Sequence, residues 1–261
     1  MEQAVKRVAV VQWPDRLAVG DHSWITIRAA VTAAQPDILV TNELPFGSWL
    51  ASRPSFVAGL ARQSILDHDA GLEALMALGL PAVVSSRPVQ EGGRLANEAV
   101  LIDSREVRGF HRKQYFPQEE GWHEAEWYRT EARDFATVTA SGLRVGVLLC
   151  TEAMFNEHAR AYGRSGAQLI AIPRATGSSH EAWHLAARMA ALVSGCYVAS
   201  SNRVGSGTRG GPTFGGEGFA YGPDGSLLGT TTSERPMLTF ELDPAKVLEA
   251  RTEYPRYVAE R

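Results

Sequence analysis

The chain has only two cysteines, Cys150 and Cys196, among its 261 residues. That excludes a disulfide framework and fits a reducing compartment, so a cytoplasmic protein is expected. It has no apolar run near the roughly 20 residues that a membrane-spanning helix needs. Its first residues lack the apolar core and small-residue cleavage site of a secretory leader, so neither membrane nor export is expected. Charge of one sign is missing too: 26 Lys and Arg stand against 29 Asp and Glu, for a formal net charge of -3. Without a basic field, nucleic acid is not expected as a partner. The 7 histidines are scattered without the paired spacing of a metal site, so no metal and no cofactor are expected. Glycines cluster at 205–218, but no Gly-Lys-Ser/Thr and no helix start follow, which excludes a phosphate loop. Strand-like sequence resumes directly after the cluster, so it reads as a mobile or tightly turning loop rather than a linker.

What is present is an ordinary globular composition, 44% hydrophobic and 21% charged, with enough apolar surface for a large core. The length suits one α/β domain over residues 1–261. Short apolar, β-branched runs at 7–12, 37–43, 82–86, 98–103, 144–150 and 169–173 read as strands. Helical patterns at 23–34, 55–78, 152–165 and 180–195 alternate with them. Residues 107–113 read as a hairpin return, and 218–221 with 226–231 as a second hairpin about Pro223-Asp224-Gly225. Mixed sheets with helices on their outer sides, two of them packed together, accommodate both the βα units and the hairpins. The polar tail from Arg251, with Tyr254 and Tyr257, is expected to dock on a partner subunit rather than on its own core.

Glu43, Lys113 and Cys150 each end an apolar run or return strand, where α/β sheets present reactive groups. Thr151-Glu152 opens a helical pattern directly after Cys150, which would set the sulfur near backbone N–H groups and a positive helix end, both favouring thiolate. Taken singly, the three have plain readings: a core thiol, a cap or turn carboxylate, and a solvated strand-end charge.

Over almost its whole length the sequence resembles the nitrilase-like carbon-nitrogen hydrolase superfamily. The segments that carry the resemblance are Thr41-Asn42-Glu43-Leu44-Pro45-Phe46, His111-Arg112-Lys113-Gln114-Tyr115, Gly146-Val147-Leu148-Leu149-Cys150-Thr151-Glu152 and Gly166-Ala167-Gln168-Leu169-Ile170-Ala171-Ile172-Pro173. Arg188-Met189-Ala190, Tyr197-Val198-Ala199-Ser200-Ser201-Asn202 and Gly222-Pro223-Asp224-Gly225 match the closing half in order and spacing. The resemblance implies a four-layer α-β-β-α sandwich, paired in a homodimer as α-β-β-α-α-β-β-α. It also implies cleavage of a small amide, with Cys150 as nucleophile and Glu43 as general base and acid. Lys113 and the Thr151 N–H would hold the oxyanion. The family usually carries a second glutamate that supports the lysine. Glu119, Glu120, Glu124 and Glu126 all compete for that role, and the spacing to Phe135 points to Glu124. The segment departs from the family at Thr130-Glu131, where Pro-Gly usually follows the aromatic pair.

Tyr115, Phe116, Trp122 and Trp127 lie near Lys113 in sequence and form either an apolar pocket wall or core packing; Tyr115 and Trp122 are the substrate-binding candidates. Relatives that act on nitriles often carry tryptophan directly after the nucleophile, so Thr151 favours an amide. Relatives that hydrolyse N-carbamoyl-D-amino acids carry paired arginines after the cysteine, and Ala153-Met154-Phe155 offers no such grip. Arg174 is a candidate for gripping a substrate anion; its other reading is a salt bridge to Glu152 or Glu181. Arg188 reads as a helix brace, His111 as a strand residue and Cys196 as a core thiol. Three other readings stand beside the amidase: a nitrilase, a non-catalytic binding or regulatory protein on the same scaffold, and a thiol redox protein. The last lacks a Cys-x-x-Cys.

Overall fold

A computed structural model describes residues 4–130, 134–206 and 211–258. Glu131, the middle of the glycine cluster and the end of the tail lie outside the described residues. The chain opens with β1 (Lys6–Val11), the short β2 (Trp13–Pro14), α1 (His22–Ala34), β3 (Ile38–Val40) and α2 (Ala58–Met76). A long hairpin of β4 (Val83–Glu91) and β5 (Arg94–Ile102) follows, extended by β6 (Val107–Arg112). β7 (Gln118–Glu119) and β8 (Trp122–His123) form a small hairpin ahead of the one-turn α3 (Glu124–Trp127). Next come β9 (Val138–Ala140), β10 (Leu143–Val147), α4 (Asn156–Arg164), β11 (Leu169–Arg174), α5 (Glu181–Ser194) and β12 (Tyr197–Ser206). The short β13 (Thr213–Gly215), β14 (Phe219–Tyr221), β15 (Leu227–Thr230), β16 (Met237–Leu242) and α6 (Pro244–Arg251) close the fold.

Two main sheets result, one ordered β16-β1-β3-β4-β5-β6 and the other β15-β14-β12-β11-β10-β9, with β2 and β13 also pairing on β12. The period-two alternation of strand side chains sorts residues between layers. Val8, Val10, Ile38 and Val40 of the first sheet meet Val145, Val147, Leu169 and Ala171 of the second in one buried cluster. Their alternates Ala9, Val11 and Leu39 pack outward on Trp24, Ile27 and Val31 of α1 and Leu72 and Leu75 of α2. On the far side, Ile170, Ile172 and Val198 pack on Tyr162 of α4 and Ala187, Ala190 and Ala191 of α5. The layers are therefore α-β-β-α, as the sequence led one to expect.

The differences from expectation are local. The strand expected at 37–43 ends at Val40; the Thr41 hydroxyl donates to Ser85 Oγ at 2.8 Å, and the chain turns away through Leu44 at φ 47. β4 runs past Pro88, which pairs with Asn97 of β5, while its ladder to β3 involves only Val83 and Val84. The imide nitrogen of Pro88 thus faces no third strand and costs the sheet nothing. The helix expected at 152–165 splits into a 3-10 turn at Cys150–Met154 and α4, because the Glu152 carboxylate accepts from Leu149 N at 2.8 Å and fastens the turn to itself. β16 pairs antiparallel with β1, and α6 is capped by Asp243, whose carboxylate accepts from Ala245 N at 2.9 Å; neither element was anticipated. The tail also corrects an expectation. Arg256 Nη1 donates to Leu192 O at 2.9 Å and Pro223 O at 3.3 Å, so the tail docks on its own chain, while Tyr254 and Tyr257 stay exposed.

Candidate active site

Three chain segments deliver buried polar groups to one end of the paired sheets: the turn after β3 brings Glu43, the end of β6 brings Lys113, and the turn after β10 brings Cys150. The Lys113 ammonium donates to Glu43 Oε1 at 2.8 Å and Glu124 Oε2 at 2.6 Å. Asn97 Nδ2 donates to the same Glu43 Oε1 at 2.8 Å, and the Asn97 carbonyl accepts from Lys113 N at 2.9 Å. Glu43 Oε2 is buried with no hydrogen-bond partner among the described residues. An ammonium carries three donors, so two bonds to carboxylates leave Lys113 one N–H to spend. Cys150 sits at φ 53, a left-handed conformation that a side-chain-bearing residue adopts only where its surroundings impose it.

Burial dominates the electrostatics here. It pushes the Cys150 thiol far above its ordinary value, the Glu43 charge adds to the rise, and Lys113 opposes it. The expected bias toward thiolate is thereby corrected: burial and the Glu43 charge favour the protonated sulfur and outweigh Lys113 and the backbone bond from Ala175. Lys113 is held well above its ordinary value; burial works against its charge, but Glu124 and Glu43 outweigh it. Glu124 is raised to about 8, chiefly by burial, with Lys113 pulling the other way.

Cys150 opens into a cleft of about 210 Å³ whose walls include Trp122, Trp183, Thr151 and Ala175, with Glu119 and Glu124 also facing it. Of the four competing glutamates, Glu124 is the one that touches Lys113. Glu119 and Glu120 are exposed on the small hairpin, and Glu126 is half-buried on α3. Trp122 and Thr151 fall where a pocket residue must, whereas Tyr115 does not. Its ring stacks on Phe155 at 3.9 Å and its hydroxyl meets His158 Nε2 at 2.8 Å, because the irregular segment after β6 carries it against the start of α4. Phe116 and Trp127 join a buried cluster with Trp49 and Phe214. Arg174 is fully buried but forms a salt bridge to neither Glu152 nor Glu181. Its donors go to Ser200 Oγ at 2.7 Å, Thr176 Oγ1 at 3.2 Å and the Glu217 carbonyl at 2.7 Å, and its guanidinium lies over the Phe219 ring at 4.5 Å. It braces the cleft from behind. Cys196 is a core thiol whose Sγ donates to Ala167 O at 3.0 Å.

Three contributors escaped the sequence reading. Asn97 is a buried polar residue in an apolar strand, and that incongruity was its signal. His111 is no passive strand residue: its Nε2 meets the Glu152 carboxylate at 2.8 Å. Arg203, fully buried, donates to Asp15 Oδ1 at 2.6 Å and Gly47 O at 3.2 Å, and also to Leu44 O, steadying the loop that follows Glu43.

Comparison with known proteins gives a consistent set. The family model described as carbon-nitrogen hydrolase matches residues 71–252, a stretch that holds Lys113, Glu124 and Cys150 but starts after Glu43. An (R)-stereoselective amidase of Pseudomonas sp is 26% identical over 236 residues, 88% of this chain and 81% of that relative. A carbon-nitrogen hydrolase from Helicobacter pylori G27 shares the fold, with TM-score 0.85, 22% identity, and 99% of this chain and 96% of that one covered. A variant of the amidase from Nesterenkonia sp. AN1 is 26% identical with TM-score 0.76, covering 94% of each chain. Its structure shows covalent addition of the acetamide moiety of fluoroacetamide at the active site cysteine.

Proposed function

Because the chain belongs to the carbon-nitrogen hydrolase family, we propose that it is a cysteine-dependent amidase that cleaves a small amide through a thioester on Cys150 and releases ammonia. The observation that carries this reading is the asymmetry of Glu43. Its Oε1 is taken by Lys113 and Asn97 at 2.8 Å each, while its Oε2 is buried and unpartnered. A buried carboxylate oxygen without a donor is costly, so Oε2 is the atom left to accept a proton, and the Glu43 charge acts on the Cys150 thiol.

In this mechanism Glu43 takes the thiol proton as Sγ bonds to the amide carbon, and the carbonyl electron pair moves onto oxygen. The spare N–H of Lys113 and the Thr151 N–H oppose that charge; one such donor is typically worth about 3 to 4 kcal/mol. Collapse breaks the C–N bond, and ammonia departs with the proton that Glu43 carried. Water then attacks the thioester and gives a proton to Glu43, the carboxylic acid leaves, and the proton returns to sulfur. The cleft is small, and Arg174 has committed its donors to the protein, so the acyl group favoured is short and uncharged. The chain acts as a single catalytic domain in the cytoplasm, as a homodimer paired through the face of α4 and α5.

The test is to incubate the protein and a Cys150→Ala control with small amides, N-carbamoyl compounds, nitriles and fluoroacetamide, reading ammonia release and intact mass together. Release from amides that vanishes in the control is expected, with an adduct on Cys150. Release from nitriles alone would move the substrate class. A folded protein that shows neither release nor adduct would remove the catalytic reading.

A further inference from the structure

The Glu152 side chain is fully buried and makes no contact with the cleft, yet three segments of the site converge on it. Oε2 accepts from Leu149 N, the residue before the nucleophile, at 2.8 Å. Oε1 accepts from Gln114 N, the residue after Lys113, at 2.8 Å. His111 Nε2, two residues before Lys113, lies 2.8 Å from Oε2 and 3.1 Å from Oε1. A carboxylate can only accept, so the contact fixes Nε2 as the protonated ring nitrogen. Glu152 N in turn donates to Leu149 O at 3.2 Å, closing the turn that holds Cys150 at φ 53.

We propose that Glu152 is a positioning residue for turnover: one carboxylate ties the nucleophile's turn to the strand end that carries Lys113 and so sets the placement of the sulfur relative to the ammonium. This rests on the reading of Cys150 as nucleophile and Lys113 as oxyanion donor. The left-handed turn at Cys150 and the end of β6 have no backbone ladder between them, since Cys150 follows a strand of one sheet and Lys113 a strand of the other. Their relative placement therefore depends on side chains, and Glu152 bridges both with two backbone bonds and a ring. Misplacement of reacting groups by about 1 Å costs on the order of a hundredfold in rate. Glutamine cannot replace the carboxylate, because its single oxygen serves one of the two backbone donors while its NH2 opposes the other.

The test compares Glu152→Gln, His111→Gln and His111→Leu with the unsubstituted protein on an amide that the latter turns over. Thermal melting and near-ultraviolet circular dichroism establish that each is folded. Glu152→Gln is expected to lower kcat tenfold to a hundredfold with KM within about twofold, because substrate contacts are untouched while the transition state loses its alignment. His111→Gln, which keeps a donor, should retain most of kcat, and His111→Leu should lose it. The Glu152→Gln/His111→Leu double variant should be no worse than Glu152→Gln alone, since both remove the same brace. A folded Glu152→Gln protein with unchanged kcat would overturn the proposal. Should Glu152→Gln not fold, the His111 pair decides: equal kcat in the two variants would overturn it. The underlying reading fails separately, through a Cys150→Ala control that still releases ammonia.

Discussion

At the scale of single residues the site is organised by what is left unpaired. Glu43 commits Oε1 to Lys113 and Asn97 and leaves Oε2 without a partner among the described residues, while Lys113 commits two of its three hydrogens to carboxylates. Glu124, raised to about 8 chiefly by burial, and Glu43 both bond the Lys113 ammonium in a site without water-level screening. Glu43→Gln is therefore expected to keep the fold, because the amide oxygen still accepts from Lys113 and Asn97, and to lose the base. Loss of a positioned proton acceptor typically costs about 10²- to 10⁴-fold in rate. Ammonia release and melting temperature measured together check this; unchanged kcat would exclude Glu43 from proton transfer. The positions of Glu43, Lys113 and Cys150 at one end of the sheets were legible in the sequence because each ends a strand-like run within a motif of fixed type. Asn97 was not, because its partner is set by strand register between β5 and the turn after β3, a long-range pairing that local pattern does not carry. Tyr115 and Arg174 were misplaced for a related reason: nearness to Lys113 or to a strand end says nothing of which face a side chain takes.

At the scale of elements, α2 shows how a helix supports the site without touching it. Gly71 of α2 lies where a Cβ would fall 2.2 Å from Phe46 Cδ2, so the helix approaches closely enough to seat the loop that follows Glu43. Beside this contact, His68 donates from Nδ1 to Ser64 O at 2.7 Å and meets the Phe46 ring edge-on at 6.1 Å. Burial depresses His68 from 6.5 to about 4, and the backbone bond to Ser64 only partly offsets this. The unfolded chain binds the proton first, so the stability held above pH 6.5 is lost progressively as pH falls toward about 4. The loss amounts to roughly 3 kcal/mol at about 1.4 kcal/mol per pKa unit. Urea unfolding of the wild type and a His68→Leu variant at pH 7.5 and pH 4.5 tests it; the gap between them should shift in favour of the variant at the lower pH, and a constant gap would refute the assignment. The main strands and helices were legible from period two and period 3.6 patterns. β16 and α6 were not, because β16 is short, its alternation is half exposed, and its place beside β1 is fixed only by tertiary pairing.

For the molecule as a whole, the α-β-β-α layering leaves two outer helical faces of unequal character. α1 and α2 pack on the first sheet, while α5 turns Leu185 and Met189 outward, 64% and 47% exposed and four residues apart on one face. Tyr254 and Tyr257 stand 75% and 63% exposed on the tail, which Arg256 ties to the end of the same helix. Apolar side chains presented in concert by one helix and the segment docked on it cost free energy in water at about 25 cal/mol per Å². In the homodimer proposed above, a second copy related by a two-fold axis would cover such a face with itself, giving eight layers. The consequence would reach the cleft, since Trp183 on the first turn of α5 forms part of its wall; a partner seated on the outer face of α5 would steady the inner one. Light scattering at micromolar concentration is expected to give twice the chain mass, and Leu185→Glu combined with Met189→Glu to give a folded monomer with a raised KM. A wild-type monomer that turns over amides would show that the cleft needs no partner and that this face has another use.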